Sequence, residues 1–220
     1  MRKSKYNKPI EKFKNMHEGE SAILFATGPS LEQYKPFENS EESLKFGLNR
    51  IYTYPEILKT LDYYHFGSHY YLDKAHRKQI DKICNDCDFV KFASAYEEGK
   101  SHGKINRGNI SPEDAIQIGA IPFENNLSHF TNDPANYCTL GHSIAFPSLQ
   151  HMLYMGVKKV YLVGCDGGAT LRKFGPAVMP HFTQWWKKFK KFKEEAYPDV
   201  AITSINPVGL KGLFKEDVYL

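Results

Sequence analysis

The sequence has no apolar run that could cross a membrane and no framework of cysteines. Nowhere in its 220 residues does an apolar run approach the roughly 18–20 consecutive residues that a membrane span needs. No hydrophobic segment follows the charged first residues, so we expect no secretory signal and a cytoplasmic protein. Cys84 and Cys87 form a C-x-x-C pair, but Cys138 and Cys165 are isolated, which does not indicate structural zinc. Reduced thiols are expected, with metal or redox use of the pair as the alternative.

Two motifs of phosphate chemistry are also missing. The chain has no lysine-bearing P-loop and no acidic pair of the D-x-D type for a metal ion. Internal repeats and low-complexity segments are absent, and 220 residues suit one α/β domain. The net charge of +4 is too small to indicate nucleic acid, and we expect no nucleic-acid partner.

Short apolar runs alternate with helical patterns along the chain. The alternation predicts a single-domain α/β fold with a Rossmann-like, doubly wound, mostly parallel sheet. Residues 1–20 are expected to form a basic arm before a domain over 21–220. Residues 97–137, rich in Gly, Asn, Ser, Asp and Pro, are expected to be a lid-like or surface insertion, with a possible strand over 116–122. Strands are predicted at 22–26, 44–51, 62–68, 89–95, 159–164 and 200–205, and helices at 55–61, 71–84, 143–154, 181–196 and 207–214.

The stretch Ser21 to Tyr34 is the one around which the chain is organised. Its first half is a buried strand, and Thr27-Gly28-Pro29-Ser30 then breaks the strand. Gly28 permits a tight turn, and Ser30 is expected to cap a helix that starts at Leu31. A strand, a glycine turn and a helix N-terminus can hold phosphate, because free N–H groups point at the anion. The alternative is an ordinary turn between strand and helix.

Polar residues follow several of the predicted strands. Asn49, Ser68, Asp166 and Asn206 all lie where a strand ends. Ligands of open parallel sheets bind at these carboxyl ends, so the sequence predicts a site at that edge. Asp166 is expected either to bind ribose or an acceptor hydroxyl, or to cap the turn after its strand.

Five motifs in order resemble those of a known group. They are ATGPSL (26–31), GLNRIY (47–52), GHS (141–143), YMGVKKVYLVGCD (154–166) and INPVGLKGLF (205–214). Together they are similar to the bacterial sialyltransferases of glycosyltransferase family 42. They are also similar to the related 6-hydroxymethylpterin-pyrophosphokinase-like domains of bacterial motility accessory proteins. The resemblance covers most of residues 21–214 except about 97–137.

The resemblance implies a metal-independent glycosyltransferase that needs no cofactor and uses a CMP-linked sugar as substrate. The acceptor it implies is a glycan or a lipopolysaccharide-type molecule. His181 matches in place the histidine that deprotonates the acceptor hydroxyl, a task suited to an imidazole with a pKa near 6.5. The residues that the resemblance and the strand ends assign to the nucleotide and donor are Thr27, Gly28, Pro29, Ser30, Asn49, Gly141, His142, Ser143 and Asp166.

The chain departs from the family at two places. Thr27 stands where the family has asparagine, and the loop GGATLRKFGP (167–176) lacks the tyrosines that stabilise the leaving phosphate. Arg172 and Lys173 can supply charge there instead, or can simply be solvated. Two other functions remain open: a pyrophosphokinase-like phosphotransferase that needs ATP and Mg²⁺, and a non-catalytic nucleotide- or glycan-binding module.

The predicted helix over 181–196 has an aromatic stripe surrounded by lysines. Trp185, Phe189, Phe192 and Ala196 recur at helical spacing, and five lysines lie between 187 and 193. Such a helix usually buries the stripe in the core. The alternative is peripheral contact through residues 185–193 with an anionic membrane, at its inner face, or with a charged acceptor.

Overall fold

In the described part of the chain, nine strands form one sheet in which every pairing is parallel. The computed structural model describes residues 8–67, 71, 73–96, 115–121, 130–135, 137–139, 141, 143–167 and 182–219. The spatial order is β6-β5-β4-β3-β2-β1-β7-β8-β9, which confirms the predicted doubly wound α/β fold. The strands are β1 (Ser21–Phe25), β2 (Leu44–Leu48), β3 (Tyr63–Gly67), β4 (Val90–Tyr96), β5 (Ile116–Ile121), β6 (Cys138–Thr139), β7 (Lys159–Val163), β8 (Ala201–Ile205) and β9 (Lys215–Asp217).

Strand β1 lies inside the sheet and is covered on both faces. Ala22 and Leu24 belong to one hydrophobic cluster, and Ile23 and Phe25 belong to the other. Successive side chains of a strand point to opposite faces, so the two clusters are the cores on the two sides of the sheet. A run of apolar residues with no alternation is what burial on both faces requires.

The helices divide between these two cores. They are α1 (Pro55–Leu58), α2 (Lys74–Asp86), α3 (Ala145–Tyr154) and α4 (Phe182–Ala196). Helix α2 buries Ile80 and Ile83 in the same core as Ile23, whereas α3 and α4 bury their apolar residues in the core that contains Leu24. Strands β2 to β6 extend from one side of β1, and β7 to β9 extend from the other. The direction of winding therefore reverses between β1 and β7.

Two predicted elements differ at their ends. A 3₁₀ helix (Pro29–Gln33), with Gly28 rather than Ser30 before it, replaces the helix predicted from Leu31. Strand β2 stops at Leu48, because Asn49 has φ = 44° and opens a second 3₁₀ helix (Asn49–Thr53).

The helix predicted over 207–214 is wrong. Turns occupy that stretch, where Pro207, Gly209 and Gly212 disfavour a helix, and strand β9 follows. Strand β9 is only three residues long and carries charge at each of them, so no apolar run marked it in the sequence.

The N-terminal residues that the structure describes are packed against the rest of the domain. A 3₁₀ helix (Lys8–Phe13) buries Ile10 and Phe13 in the Leu24 core. The N–H groups of Asn15, His17 and Gly19 then donate to the carbonyl oxygens of Tyr154, Met155 and Gly156 at 2.8–3.1 Å. Ile10 and Phe13 therefore anchor this largely exposed segment to the domain, and the backbone hydrogen bonds attach it to the end of α3.

The stretch 97–137 contributes one strand that the sequence predicted. Strand β5 lies between β4 and β6, and the possible strand over 116–122 is confirmed. Residues 97–114 and 122–129 lie outside the described part of the chain. No helix in the described part is long and apolar enough to cross a membrane, and all four cysteines are free thiols.

Candidate functional site

The reversal between β1 and β7 places two loops at the carboxyl edge of the sheet. Residues 26–30 follow β1, and residues 164–167 follow β7. In an open parallel sheet, the crevice outside such a switch point is where ligands bind. The predicted site residues Gly28, Ser30 and Asp166 all lie in these two loops.

A buried carboxylate joins the loops after β1, β7 and β8. The N–H of Ser30 donates to Asp166 Oδ2 at 2.8 Å. The N–H groups of Val208 and Gly209 donate to Asp166 Oδ1 at 2.9 and 3.3 Å. The side chain of Ser30 takes part as well, because its Oγ accepts the N–H of Gly164 at 2.9 Å. We call this arrangement of Ser30, Gly164, Asp166, Val208 and Gly209 the Asp166 clamp.

The clamp gives Asp166 and Ser30 structural partners. Asp166 is 4% exposed and both of its oxygens accept backbone N–H groups. These bonds come from the loops after β1 and β8 and not from the turn after its own strand, so both roles predicted for Asp166 stay predictions. Ser30 does not cap a helix with its side chain, and its N–H already has an anionic acceptor inside the protein.

Glycine at position 28 is required by the clamp. A Cβ built there would lie 2.4 Å from the carbonyl oxygen of Gly164 and 2.5 Å from Asp166 Oδ2. Gly209 is just as constrained, since its Cβ would lie 1.8 Å from the carbonyl oxygen of Asp166. The loops after β1, β7 and β8 therefore approach each other closely enough to exclude any side chain at these positions.

Most amide groups of the β1 turn are already engaged. The N–H of Gly28 donates to Gly164, the N–H of Leu31 donates to Gly28, and Pro29 has no N–H. Thr27 makes no hydrogen bond to any other residue that the structure describes. The N–H groups of Ala26 and Gly28 both point to β7, so that of Thr27 points to the β2 side.

Asn49 directly follows β2, and Thr27 comes two residues after the end of β1. The β1–β2 pairing ends with Phe25 opposite Gly47, so both residues lie past the paired strands at the carboxyl edge of the sheet. Asn49 has φ = 44°, a left-handed conformation that asparagine tolerates better than most residues. Its Oδ1 accepts the N–H of Gly67 at 3.0 Å, and its carbonyl oxygen accepts the hydroxyl of Tyr64 at 2.5 Å. The amide side chain is therefore fixed in one orientation at the carboxyl edge.

Next to Asn49 is a cluster of polar side chains that the sequence did not reveal. Arg50 Nη2 lies 3.2 Å from His76 Nε2, and the hydroxyl of Tyr52 lies 2.6 Å from His76 Nδ1. Burial and the charge of Arg50 lower the pKa of His76, although Asp73 opposes them. Asp73 caps α2 by accepting the N–H groups of Ala75 and His76 at 2.9 and 3.1 Å, and these bonds to backbone lower its pKa. Of these contacts, only the helix cap could be predicted from the sequence, because Asp73 directly precedes the helix that begins at Lys74.

The GHS segment is described in part. Gly141 lies against the ring of Phe146, and Ser143 Oγ accepts the N–H of Ala145 at 3.3 Å, just before α3. His142 lies outside the described residues, as do Arg172, Lys173 and His181. Their predicted roles stay predictions.

A second polar group lies in the core beneath α3. His65 on β3 contacts Ser94 Oγ through Nε2 at 2.8 Å and Ser148 Oγ through Nδ1 at 2.6 Å. His151 on α3 stacks on His65 with ring centroids 5.4 Å apart, and its Nε2 lies 3.2 Å from Cys138 Sγ.

Burial keeps these groups in their neutral forms. It lowers the pKa of His65, as does His151, and it lowers the pKa of His151 to about 3. Burial raises the pKa of the Cys138 thiol. A neutral imidazole and a protonated thiol with no access to solvent are suited to packing rather than to nucleophilic chemistry. Within the described residues, no group of three or more His, Cys, Asp or Glu is arranged to hold a metal ion.

Helix α4 directs its aromatic side chains into the core. Trp185, Trp186 and Phe189 are buried in the Leu24 core, which confirms the first of the two interpretations for this stripe. Two of its lysines form pairs along the helix, Lys190 with Glu194 and Lys191 with Glu195. Contact with an anionic surface would therefore rest on the lysines and not on inserted aromatic rings.

No protein-family model matches the chain, and no curated protein is significantly similar to it in sequence.

The Asp166 clamp predicts a large loss of stability for Asp166→Asn. The amide NH₂ would face backbone N–H groups, leaving buried donors without an acceptor, so the free energy of unfolding should fall by about 3–5 kcal/mol. Asp62→Asn is the control, because Asp62 is an exposed carboxylate that accepts a single N–H, from Lys45 at 2.8 Å. The free energy of unfolding of Asp62→Asn should fall by less than about 1 kcal/mol. Urea unfolding measures both, and equal losses would contradict the clamp.

The buried histidines predict acid sensitivity. The native pKa of His65 and His151 lies below the value of about 6.5 in the unfolded chain. The unfolded chain therefore binds protons that the native protein excludes, and stability is lost as pH falls below about 6.5 towards 4. Each histidine should contribute a slope of up to about 1.4 kcal/mol per pH unit.

Urea unfolding between pH 4.5 and 7.5 measures this slope. His151→Gln should reduce the slope of unfolding free energy against pH by the contribution of about one proton. The carboxylates contribute equally to the slope in the unchanged protein and in the variant. An unchanged slope would show that His151 is not excluded from protonation in the folded protein.

Proposed function

We propose that the chain is a glycosyltransferase of sialyltransferase-like type. It moves a sugar from a nucleotide donor, CMP-linked, to a glycan or lipopolysaccharide-type acceptor. The order of the five motifs supports the proposal, and so does the switch point between β1 and β7, because open parallel sheets bind ligands at the carboxyl edge near such a point. The observation that carries it is Asn49, which has a left-handed backbone conformation at the carboxyl end of β2 and whose side-chain oxygen is fixed by the N–H of Gly67.

The nucleotide phosphate lies on the β2 side of β1. The Asp166 clamp engages the N–H of Ser30 and encloses Gly28, so these two residues are not the phosphate-binding surface. The N–H of Thr27 and the Nδ2 of Asn49 are the donors that point to the ligand. Neither donates to any other described residue.

The transfer step follows from the resemblance. His181 takes the proton of the acceptor hydroxyl, the acceptor oxygen bonds to the anomeric carbon, and CMP leaves with the electrons of the broken bond. Arg172 and Lys173 stabilise the departing phosphate in place of the absent tyrosines. No metal or cofactor takes part, and the lysines of α4 offer a contact with an anionic acceptor or the membrane that carries it.

CMP binding tests the role of Asn49. CMP should raise the melting temperature of the unchanged protein equally with and without EDTA. Asn49→Gly keeps a residue that accepts φ = 44° but removes the amide, and should weaken CMP binding about 10–100-fold. Asn39→Gly is the matched control, because Asn39 also has a positive φ, 63°, but lies before β2, away from the site.

Three results would contradict this placement of the nucleotide. They are failure of CMP to stabilise the unchanged protein, equal CMP affinity in the two glycine variants, and stabilisation that requires ATP and Mg²⁺. The last result would favour the pyrophosphokinase-like alternative.

The proton-transfer step predicts a selective effect of His181→Ala. Transfer from a CMP-linked sugar should fall by about 10²–10⁴-fold, while the Kd for CMP should not change. Release of CMP in the presence of acceptor measures turnover, and calorimetry measures binding. Undiminished turnover would remove His181 from the mechanism. Tight CMP binding in the unchanged protein without transfer or hydrolysis over a panel of donors would indicate a non-catalytic binding module.

A further inference from the structure

We propose that the end of the sheet formed by β6 opens locally in acid, and that the proton which drives the opening is taken up by His151 on α3. The opening exposes the Cys138 thiol and separates β6 from α3, which have the GHS segment (141–143) between them. The effect on that segment rests on the proposed function, which uses it to bind the nucleotide. The opening itself rests on the geometry of β6 and α3.

Strand β6 is the part of the sheet that can detach most easily. It is two residues long and stands at the end of the strand order in the described part of the chain. Its pairing with β5 consists of Cys138 opposite Ala120 and Thr139 opposite Ile121. Short terminal elements open locally at a free energy below that of global unfolding. Strand β6 can therefore open while the centre of the sheet stays folded.

Two adjacent side chains of α3 hold β6 in place. Gln150 Oε1 accepts the N–H of Thr139 at 3.2 Å, and its Nε2 donates to the carbonyl oxygen of Thr139 at 2.9 Å. His151 Nε2 lies 3.2 Å from Cys138 Sγ. All four residues are at most 1% exposed, so water does not reach these contacts while β6 is in place.

The other ring nitrogen of His151 has no hydrogen-bond partner among the described residues. It is Nδ1, and it is buried. A buried N–H without an acceptor is rarely tolerated, so the hydrogen of the neutral ring is assigned to Nε2. A proton can then add only at Nδ1, where nothing accepts it. The protonated ring is therefore excluded while β6 is closed, and it is solvated once β6 moves away.

No described carboxylate compensates a positive charge on His151. The ring stacks on His65, whose two nitrogens contact Ser94 and Ser148. Burial and then the charge of His151 lower the pKa of His65, and burial alone lowers the pKa of His151. The other titratable groups on the elements packed here are Tyr63 on β3, Cys138 on β6, Asp133 before β6, Tyr154 on α3, and Glu11 and His17 in the N-terminal segment. Burial raises the pKa values of the two phenols and the thiol, so all three are neutral.

The sign of the pH effect follows from these surroundings. The pKa of His151 is about 3 in the closed form and returns towards about 6.5 when the ring is solvated. Between these values the open form binds one proton more than the closed form. The equilibrium constant for opening should therefore rise up to about tenfold for each pH unit as pH falls below about 6.5.

Thiol labelling of Cys138 measures the opening. The reagent is a dithiodipyridine, which stays reactive towards thiols in acid, and digestion with mass spectrometry identifies the labelled cysteine. The rate in the urea-unfolded chain at the same pH, divided by the rate in the folded protein, gives a protection factor. The protection factor of Cys138 should fall by up to about tenfold per unit from about pH 6.5 to 5. Cys165, also buried but located after β7, should be better protected than Cys138 throughout.

Two histidine variants identify the proton acceptor. His151→Gln should make the protection factor of Cys138 independent of pH over this range. His17→Gln is the control, because His17 contacts Tyr63 and Glu20 rather than β6, and it should keep the dependence of the unchanged protein. If His151→Gln does not fold, deuterium exchange at Thr139 in the unchanged protein gives the same test of opening without a substitution.

Three results would overturn the inference. The first is a protection factor of Cys138, or of the Thr139 amide, that does not change with pH. The second is equal protection of Cys138 and Cys165 at every pH, because labelling would then require global unfolding. The third is an unchanged pH dependence in His151→Gln, which would remove His151 as the acceptor of the proton.

CMP separates this inference from the proposed function. If the GHS segment binds the nucleotide only while β6 is closed, CMP at about 100 times its Kd should raise the protection factor of Cys138 about 100-fold. Opening in acid without protection by CMP would leave the opening in place and remove the GHS segment from the nucleotide site. Protection by CMP without any pH dependence would support the nucleotide site and overturn the opening in acid.

Discussion

The carboxylate of Asp166 is the interaction on which the carboxyl edge of this sheet depends. Three loops that follow β1, β7 and β8 turn away from the sheet at the same place, and each brings backbone N–H or C=O groups that need partners. One side chain accepts N–H groups from two of those loops while belonging to the third. Because the group is charged and buried, its hydrogen bonds are stronger than those between neutral groups, and losing them leaves several donors unsatisfied.

The clamp also changes where a ligand can bind. A strand, a glycine turn and a short helix resemble a phosphate-binding loop, but here the protein supplies the anion itself. Among the described N–H groups of the β1 turn, the one with no partner inside the protein is that of Thr27, which points to the β2 side. Gly28 is thus required for packing against Gly164. A glycine at this position is also what a ligand-binding loop needs, so the sequence alone does not distinguish the two.

The strands were predictable because burial on both faces leaves a simple pattern. Residues 22–26 and 159–164 are short apolar runs, and a parallel sheet with covered faces needs such runs. Strand β9 was missed because an edge strand with the sequence Lys-Glu-Asp has no apolar face to detect. The helix expected over 207–214 failed because hydrophobic residues there pack from turns rather than from a regular helix.

The location of the candidate site could be predicted from the sequence, but the contacts between its side chains could not. Strand ends identified Gly28, Asn49 and Asp166 as residues of the carboxyl edge, since topology alone brings those positions together. The pairing of Ser30 with Asp166, which are 136 positions apart, leaves no local pattern, and neither does that of Arg50 with His76. Side-chain partners of this kind depend on the packed three-dimensional arrangement, and propensity or periodicity carries no information about them.

The position of β1 has a consequence for how the chain acquires its structure. Residues 21–25 are synthesised early but pair on one side with residues 159–163. Until those residues leave the ribosome, an apolar strand has an open edge and can pair with another chain. Because the two halves of the sheet join through residues far apart in sequence, formation of the complete sheet is expected to be slower than that of a fold with local contacts.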